Sequence, residues 1–215
     1  MKKAIRLLVC FAVVCQFTEG IAQTYSGARV EFHRRLDNPV LTFIDPVNGS
    51  ETGTFVRAKM FSKDFNAGVS EFTTVRFTNG FTLTGELGVA VNKTGFQFKN
   101  YYADFSQLMF DFRFLPGIAD KRNIVSFQAG PTVCILNHTG LSGYSEKEDT
   151  RWLWFGSVAG VHLRINKAMF VARYNMYFTK GDIDFVNGGN SYFRLQNRRS
   201  SFSLGISVIL SDGHN

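Results

Sequence analysis

Cysteine is scarce: three residues in 215, and two of them, Cys10 and Cys15, fall within the first 22 positions. If that segment is removed, Cys134 stands alone and no intramolecular disulfide can form, so the chain is not built on a disulfide framework. Proline is also rare, four in all, against 23 phenylalanines and 20 glycines, a balance that suits sheets. After Phe17 every apolar run is interrupted by polar residues within a few positions, which excludes a helix long and oily enough to cross a bilayer. Chemistry-bearing constellations are missing too. The four histidines, His33, His138, His162 and His214, are scattered, with no His-x-x-x-His or cysteine pair at metal-ligand spacing. Gly140-Leu-Ser-Gly-Tyr144 misses the nucleophile-elbow pattern at its last position and reads as a loop. No enzyme, cofactor or metal site is expected.

The first residues are more informative. Lys2, Lys3 and Arg6 precede a short apolar core, and Gly20-Ile-Ala22 is a small-x-small cleavage site, so residues 1–22 read as an export leader with the mature chain starting at Gln23. Of the net charge of +7, the leader carries +2 (Lys2, Lys3, Arg6 against Glu19), leaving +5 spread along the mature chain. Nucleic acid is a poor partner for an exported protein; anionic lipid or polysaccharide fits better.

From about residue 53 the chain alternates with a period of two, the signature of strands with one bulky and one small or polar face. The series Phe202, Leu204, Ile206, Val208, Leu210 encloses Ser203, Gly205 and Ser207. Similar faces recur around Leu83–Val91, Leu108–Phe114, Val125–Ile135, Leu153–Ile165 and Ala168–Phe178, and less cleanly over 53–63 and 67–78, giving eight strands. Residues 23–52 read as an N-terminal extension, 53–211 as the sheet domain and 212–215 as a tail. Tight turns at Thr78-Asn-Gly80 and Ile165-Asn-Lys167, and a moderate one after Pro116, alternate with longer polar links at 137–150 and 179–198. Short turns on one rim and long loops on the other are the pattern of a transmembrane β-barrel.

Volume decides which face points inward. The lumen of an eight-stranded barrel has room for one layer of side chains, so the roughly 25 bulky residues of the clear strands must face out, toward lipid. The opposite face holds Arg76, Glu86, Asp111, Arg113, Gln128, His162, Arg164, Arg173 and Asn175, a set able to pair its charges within a narrow lumen. Tyr101, Tyr102, Trp152, Trp154, Tyr177 and Phe178 fall near strand ends, as an interfacial aromatic girdle requires. A soluble two-sheet sandwich would also hide the bulky faces, but its water-facing side should carry more charge than Ser-Gly-Ser.

With these features the chain resembles the small OmpA/OmpX-like outer-membrane barrels, the porin-family β-barrel domain of the Bacteroidetes type, over about residues 53–211. The resemblance implies an all-β, eight-stranded antiparallel up-and-down barrel in the outer membrane of a Gram-negative bacterium. It also implies contact with outer-membrane lipid and lipopolysaccharide, and with the outer-membrane assembly machinery. One departure is that the last strand reaches Leu210 and continues Ser-Asp-Gly-His-Asn, without the terminal aromatic common in that group. The expected role is envelope integrity, adhesion or docking of an envelope partner through the longer loops, with Tyr144, Glu146, Lys147, Asp182, Asp184, Tyr192 and Arg194 as contact candidates. The alternatives are a barrel subunit of a secretion or transport complex, an outer-membrane lipid-modifying enzyme, and a secreted β-sandwich.

Overall fold

The computed structural model describes residues 20–36, 40–45, 47–57, 66–98, 101–141, 145–146, 153–187 and 190–214. Its strands are β1 (Ile21–Arg35), β2 (Val40–Ile44), β3 (Glu51–Arg57), β4 (Asn66–Phe77), β5 (Phe81–Phe98) and β6 (Tyr101–Ala119). They continue as β7 (Val125–Leu141), β8 (Ser145–Glu146), β9 (Leu153–Ile165), β10 (Ala168–Asn187) and β11 (Asn190–His214). Eight of them, β1, β4, β5, β6, β7, β9, β10 and β11, pair antiparallel with their neighbours in that order, and β1 pairs with β11 from Gln23↔His214 to Arg35↔Ser201. The last pairing closes the sheet into a barrel, so these strands have no free edge.

Eight strands are what the alternation predicts, but one of the eight is different. Residues 21–35, expected in an extension before the barrel, form the strand that closes it. Residues 53–57, expected to open the barrel, lie instead in the β2–β3 hairpin. That hairpin sits higher: β2 pairs with β11 at Val40↔Gln196 and β3 with β5 at Arg57↔Phe96. β2 meets β11 in the register that β1 left at Arg35↔Ser201, so it prolongs the wall upward. Residues 1–19 of the expected leader, and 58–63 of the expected first strand, lie outside the described residues. The C-terminal strand runs through the expected tail to His214.

One rim carries the tight connections. The turns after β4, β6 and β9 gather there with Gly20 and the end of β11, tied by Thr78 N–H to Gly20 O at 3.3 Å and Ala119 N–H to Gly80 O at 2.8 Å. Gly80, at φ +85°, takes the left-handed conformation that a tight turn requires. At the other rim the segments expected as loops are largely strand. Residues 137–141 continue β7, and β10 and β11 stay paired up to Asn187↔Asn190. Above a membrane both faces of a hairpin can be polar, so alternation fades while the backbone ladder continues. At about 3.3 Å per residue and a tilt near 40°, the 25 residues of β11 rise roughly 60 Å, against an apolar belt about 25 Å tall.

The exterior is oily and the inner wall is lined by buried side chains. Phe32, Ile118, Phe155, Leu204, Ile206 and Leu210 are more than half exposed, while Arg29, Gln128, His162, Arg173, Ser203 and Ser207 are buried. The lumen is less uniformly polar than its sequence suggests. Near the tight-turn rim Tyr25, Phe72, Met169, Val171 and Ile209 form an apolar layer. Higher up, Ala90, Met109, Cys134 and Trp154 form a second, with Tyr177 packed against it. A third layer, Leu41, Phe105, Phe185, Phe193 and Leu195, lies at the far end.

Candidate functional site: the lumen and the extended rim

Between the first two apolar layers lies a charge cluster built from four strands. Arg29 and Glu31 come from β1, Glu86 from β5, Asp111 and Arg113 from β6, and Arg173 from β10; His162 of β9 stands beside it. Glu86 is the hub. Arg29 Nη1 donates to its Oε1, Arg113 Nη1 to Oε2 at 3.4 Å, and Arg173 Nη2 and Nη1 to Oε1 and Oε2 at 2.5 and 2.7 Å. Glu31 accepts from Arg113 Nη1 at 3.1 Å and from Arg173 Nη1 at 3.0 Å. Asp111 accepts from Arg113 Nη2 at 3.4 Å and from the Tyr177 hydroxyl at 3.0 Å. Three guanidiniums thus face three carboxylates, so the charges within the buried cluster balance. Arg29 also donates to Ser207 Oγ at 2.7 Å and lies over the Phe72 ring at 4.8 Å.

The small residues of the inner face make this cluster fit. A Cβ at Gly160 would stand 2.5 Å from Arg173 Cγ, and one at Gly205 would stand 2.8 Å from Glu31 Cγ. The Ser-Gly-Ser pattern of the last strand is therefore room for long charged side chains crossing the lumen.

Of the predicted lumen set, Glu86, Asp111, Arg113 and Arg173 come together, and Arg173 Nε reaches His162 Nε2 at 3.4 Å. Gln128 and Asn175 face inward with local partners, Thr84 at 2.9 Å and Ser203 at 3.3 Å. Two residues are corrected. Arg76 caps the turn after β6 through the carbonyls of Asp120 and Lys121, at 3.3 and 3.0 Å. Arg164 pairs with Asp212 near the tight-turn rim and lies over the Tyr25 ring at 4.9 Å. Both sit too close to that rim to reach the cluster. Arg29 and Glu31, which complete it, were hidden by reading their segment as an extension; the inward spacing Gln23, Tyr25, Arg29, Glu31 was the signal available.

The girdle is also corrected. Trp154 is fully buried in the lumen, edge-on to Tyr177 at 6.0 Å, and Tyr177 faces inward to Asp111. Both take the inward parity of their strands, which places them on the lumen wall however close to a strand end they lie. Phe178 faces outward at 61% exposure. The side chains of Tyr101 and Tyr102, and all of Trp152, lie outside the described residues.

At the extended rim, Asp184 accepts from Arg194 Nε at 2.9 Å and Nη2 at 3.2 Å, and Glu51 lies 3.5 Å from Arg194 Nη1. Tyr192 packs on the uppermost apolar layer. Asp182 and Glu146 sit in paired backbone, opposite Gln196 and Phe185. Tyr144 and Lys147 lie outside the described residues. Among the described residues, no three His, Cys, Asp or Glu side chains gather as a metal site.

No family model matches the chain, and no curated protein matches it. Solved structures do. Ail, the attachment invasion locus protein of Yersinia pestis, aligns at 12% identity over 88% of this chain and 99% of Ail, with a TM-score of 0.43. The translocator domain of the autotransporter NalP from Neisseria meningitidis aligns at 12% identity over 96% and 95%, at 0.33. The β-domain of the Bordetella autotransporter BrkA aligns at 10% identity over 86% and 99%, at 0.28. At these identities and scores no function is carried across, and the strand pairing of the chain itself defines the architecture. It is an all-β, closed, eight-stranded antiparallel barrel of the outer-membrane type, with an oily exterior.

Proposed function

We propose that the protein is an exported outer-membrane barrel of a Gram-negative bacterium, closed to solutes, that acts as a rigid, non-catalytic post for adhesion or docking at the cell surface. The observation that carries this reading is the pairing of a filled lumen with a wall that continues well past the apolar belt. A pore needs an open interior, and here three apolar layers and an ion cluster occupy it. A post needs a stiff projection, and β10 and β11 supply one, closed over by β2, β3 and the Asp184–Arg194–Glu51 bridge. Arg34 and Lys93 face outward above the apolar belt, a placement suited to lipopolysaccharide phosphates. His33 and His162 both face the lumen, away from any lipid substrate.

Two measurements test this. Purified barrel in a planar bilayer should give no sustained conductance; steady open channels would refute closure. Cells displaying the full chain should adhere to matrix-coated surfaces or to an envelope partner better than cells displaying a chain shortened between residues 182 and 196. Equal adhesion at equal surface display would refute the role of the raised rim.

A further inference from the structure

The lipid-facing wall has one flaw. Glu71 points outward from β4, since its neighbours Phe72 and Thr74, at 6 positions or fewer from the Phe77 strand end, are buried at 1% each while Glu71 is exposed. It stands six residues from Phe77, which at strand rise and barrel tilt is about 15 Å into a belt roughly 25 Å tall. Among the described residues it is the one charged side chain facing out at mid-belt, and no hydrogen bond or ion pair reaches it. On its β1 side and toward the tight-turn rim the surroundings are small or hydroxylic, while Leu87 lies directly opposite on β5. Ala28 lies opposite on β1, and two residues below, Thr73 lies between Ser26 of β1 and Gly85 of β5. Elsewhere the same belt is set with Phe112, Phe155, Phe170 and Ile206.

A carboxyl group in hydrocarbon costs free energy unless donors reach it, and small residues let two walls approach closely. We propose that the β1–β4–β5 face is the contact surface for a second copy of this chain within the membrane plane. Copies inserted in one membrane share an orientation, so a two-fold axis along the membrane normal sets like residues at like depth. The two Glu71 then stand at one level, and each side chain reaches down along the wall to the Ser26 and Thr73 hydroxyls of the other copy, about 5 Å lower on the tilted strands. A partner wall of ordinary apolar residues brings no such donors. This inference rests on the membrane-barrel reading above.

The test is disulfide trapping in native membranes, without extraction. Ala28→Cys, beside Glu71 and outside the proposed donor pair, should give an oxidant-dependent dimer band. Val161→Cys, on β9 across the barrel, should give none. Adding Glu71→Leu to Ala28→Cys should abolish the band. The proposal is overturned by absence of the dimer, by equal trapping at Val161, by persistence of the band with Glu71→Leu, or by trapping of a different protein. Unboiled and boiled gels of the same variants separate the failures. A heat-modifiable band without a dimer sinks only the contact, whereas loss of heat-modifiability in the unsubstituted chain sinks the barrel reading itself.

Discussion

Replacing Glu86 by Gln removes the charge on which three arginines converge while keeping the side chain's size. The cluster then holds Arg29, Arg113 and Arg173 against only Glu31 and Asp111, an excess of one buried positive charge. Breaking a buried ion pair from one side costs about 3–5 kcal/mol, because the abandoned charge stays desolvated. The Gln carbonyl still accepts one guanidinium, so the lower end applies. A loss of about 3 kcal/mol is roughly a hundredfold in the folding constant. The assay is urea unfolding of the barrel in lipid vesicles, followed by tryptophan fluorescence, with buried Trp154 as reporter. Pairing the change with Arg173→Met restores charge balance and should recover most of the loss, since an ion pair replaced whole by apolar groups is often near neutral. A single variant within about 1 kcal/mol of the parent, or a double variant no better than the single, would refute the balanced-cluster account.

Other outcomes follow from the same structure. Gly160→Val should destabilise by roughly 1–3 kcal/mol in the same titration, because its Cβ collides with the Arg173 stem and the Ala172 carbonyl. Phe112→Arg, on the lipid face opposite Leu87, should cost about 2–4 kcal/mol in vesicles, and a silent result would argue against lipid there. Arg194→Ala should change stability by no more than about 1 kcal/mol, since its ion pairs are partly exposed. Asp120 lies in the turn after β6, and the Val125 N–H, with help from the Arg122 and Ile124 N–H groups and Arg76, holds its carboxyl below the usual aspartate range. The stability this adds is present above the ordinary aspartate value near 4 and is lost as pH falls through the lowered folded value. Asp120→Asn should therefore flatten the acid limb of a stability–pH curve and leave its neutral limb parallel to the parent's.

Much of the fold could be read from side-chain parity, because each clear strand offers lipid a row of Phe, Leu, Val and Ile. Where that row fails, the reading fails with it. β1 shows Ser26, Ala28 and then Val30 and Phe32, half a lipid face, so it passed for an extension although its inner face carries Arg29 and Glu31. The weak outer face of β1 and the exposed Glu71 opposite it belong to one patch, which ties the missed strand to the proposed contact. The upper parts of β10 and β11 were lost for a different reason. Above the belt nothing rewards alternation, so Asp182–Val186 and Tyr192–Gln196 look like loops while their backbones are paired. Within the lumen, parity places Trp154 and Tyr177 inward more surely than closeness to a strand end places them at an interface. The pairing of Glu86 with three arginines needed the register of four strands, which no single stretch contains.

The claim on which the account depends is that the bulky faces meet lipid and the Ser-Gly faces do not meet water. Nitroxide labels at Phe202, Leu204, Ile206 and Val208, and the near-isosteric changes Ser203→Cys and Ser207→Cys, in vesicles, measure it directly. The four labels should be open to dissolved oxygen and closed to a water-soluble nickel chelate, and the two cysteines should not react with a membrane-impermeant thiol reagent. Reaction at 203 and 207 would put the Ser-Gly face in water, and the closed barrel would give way to a soluble sandwich.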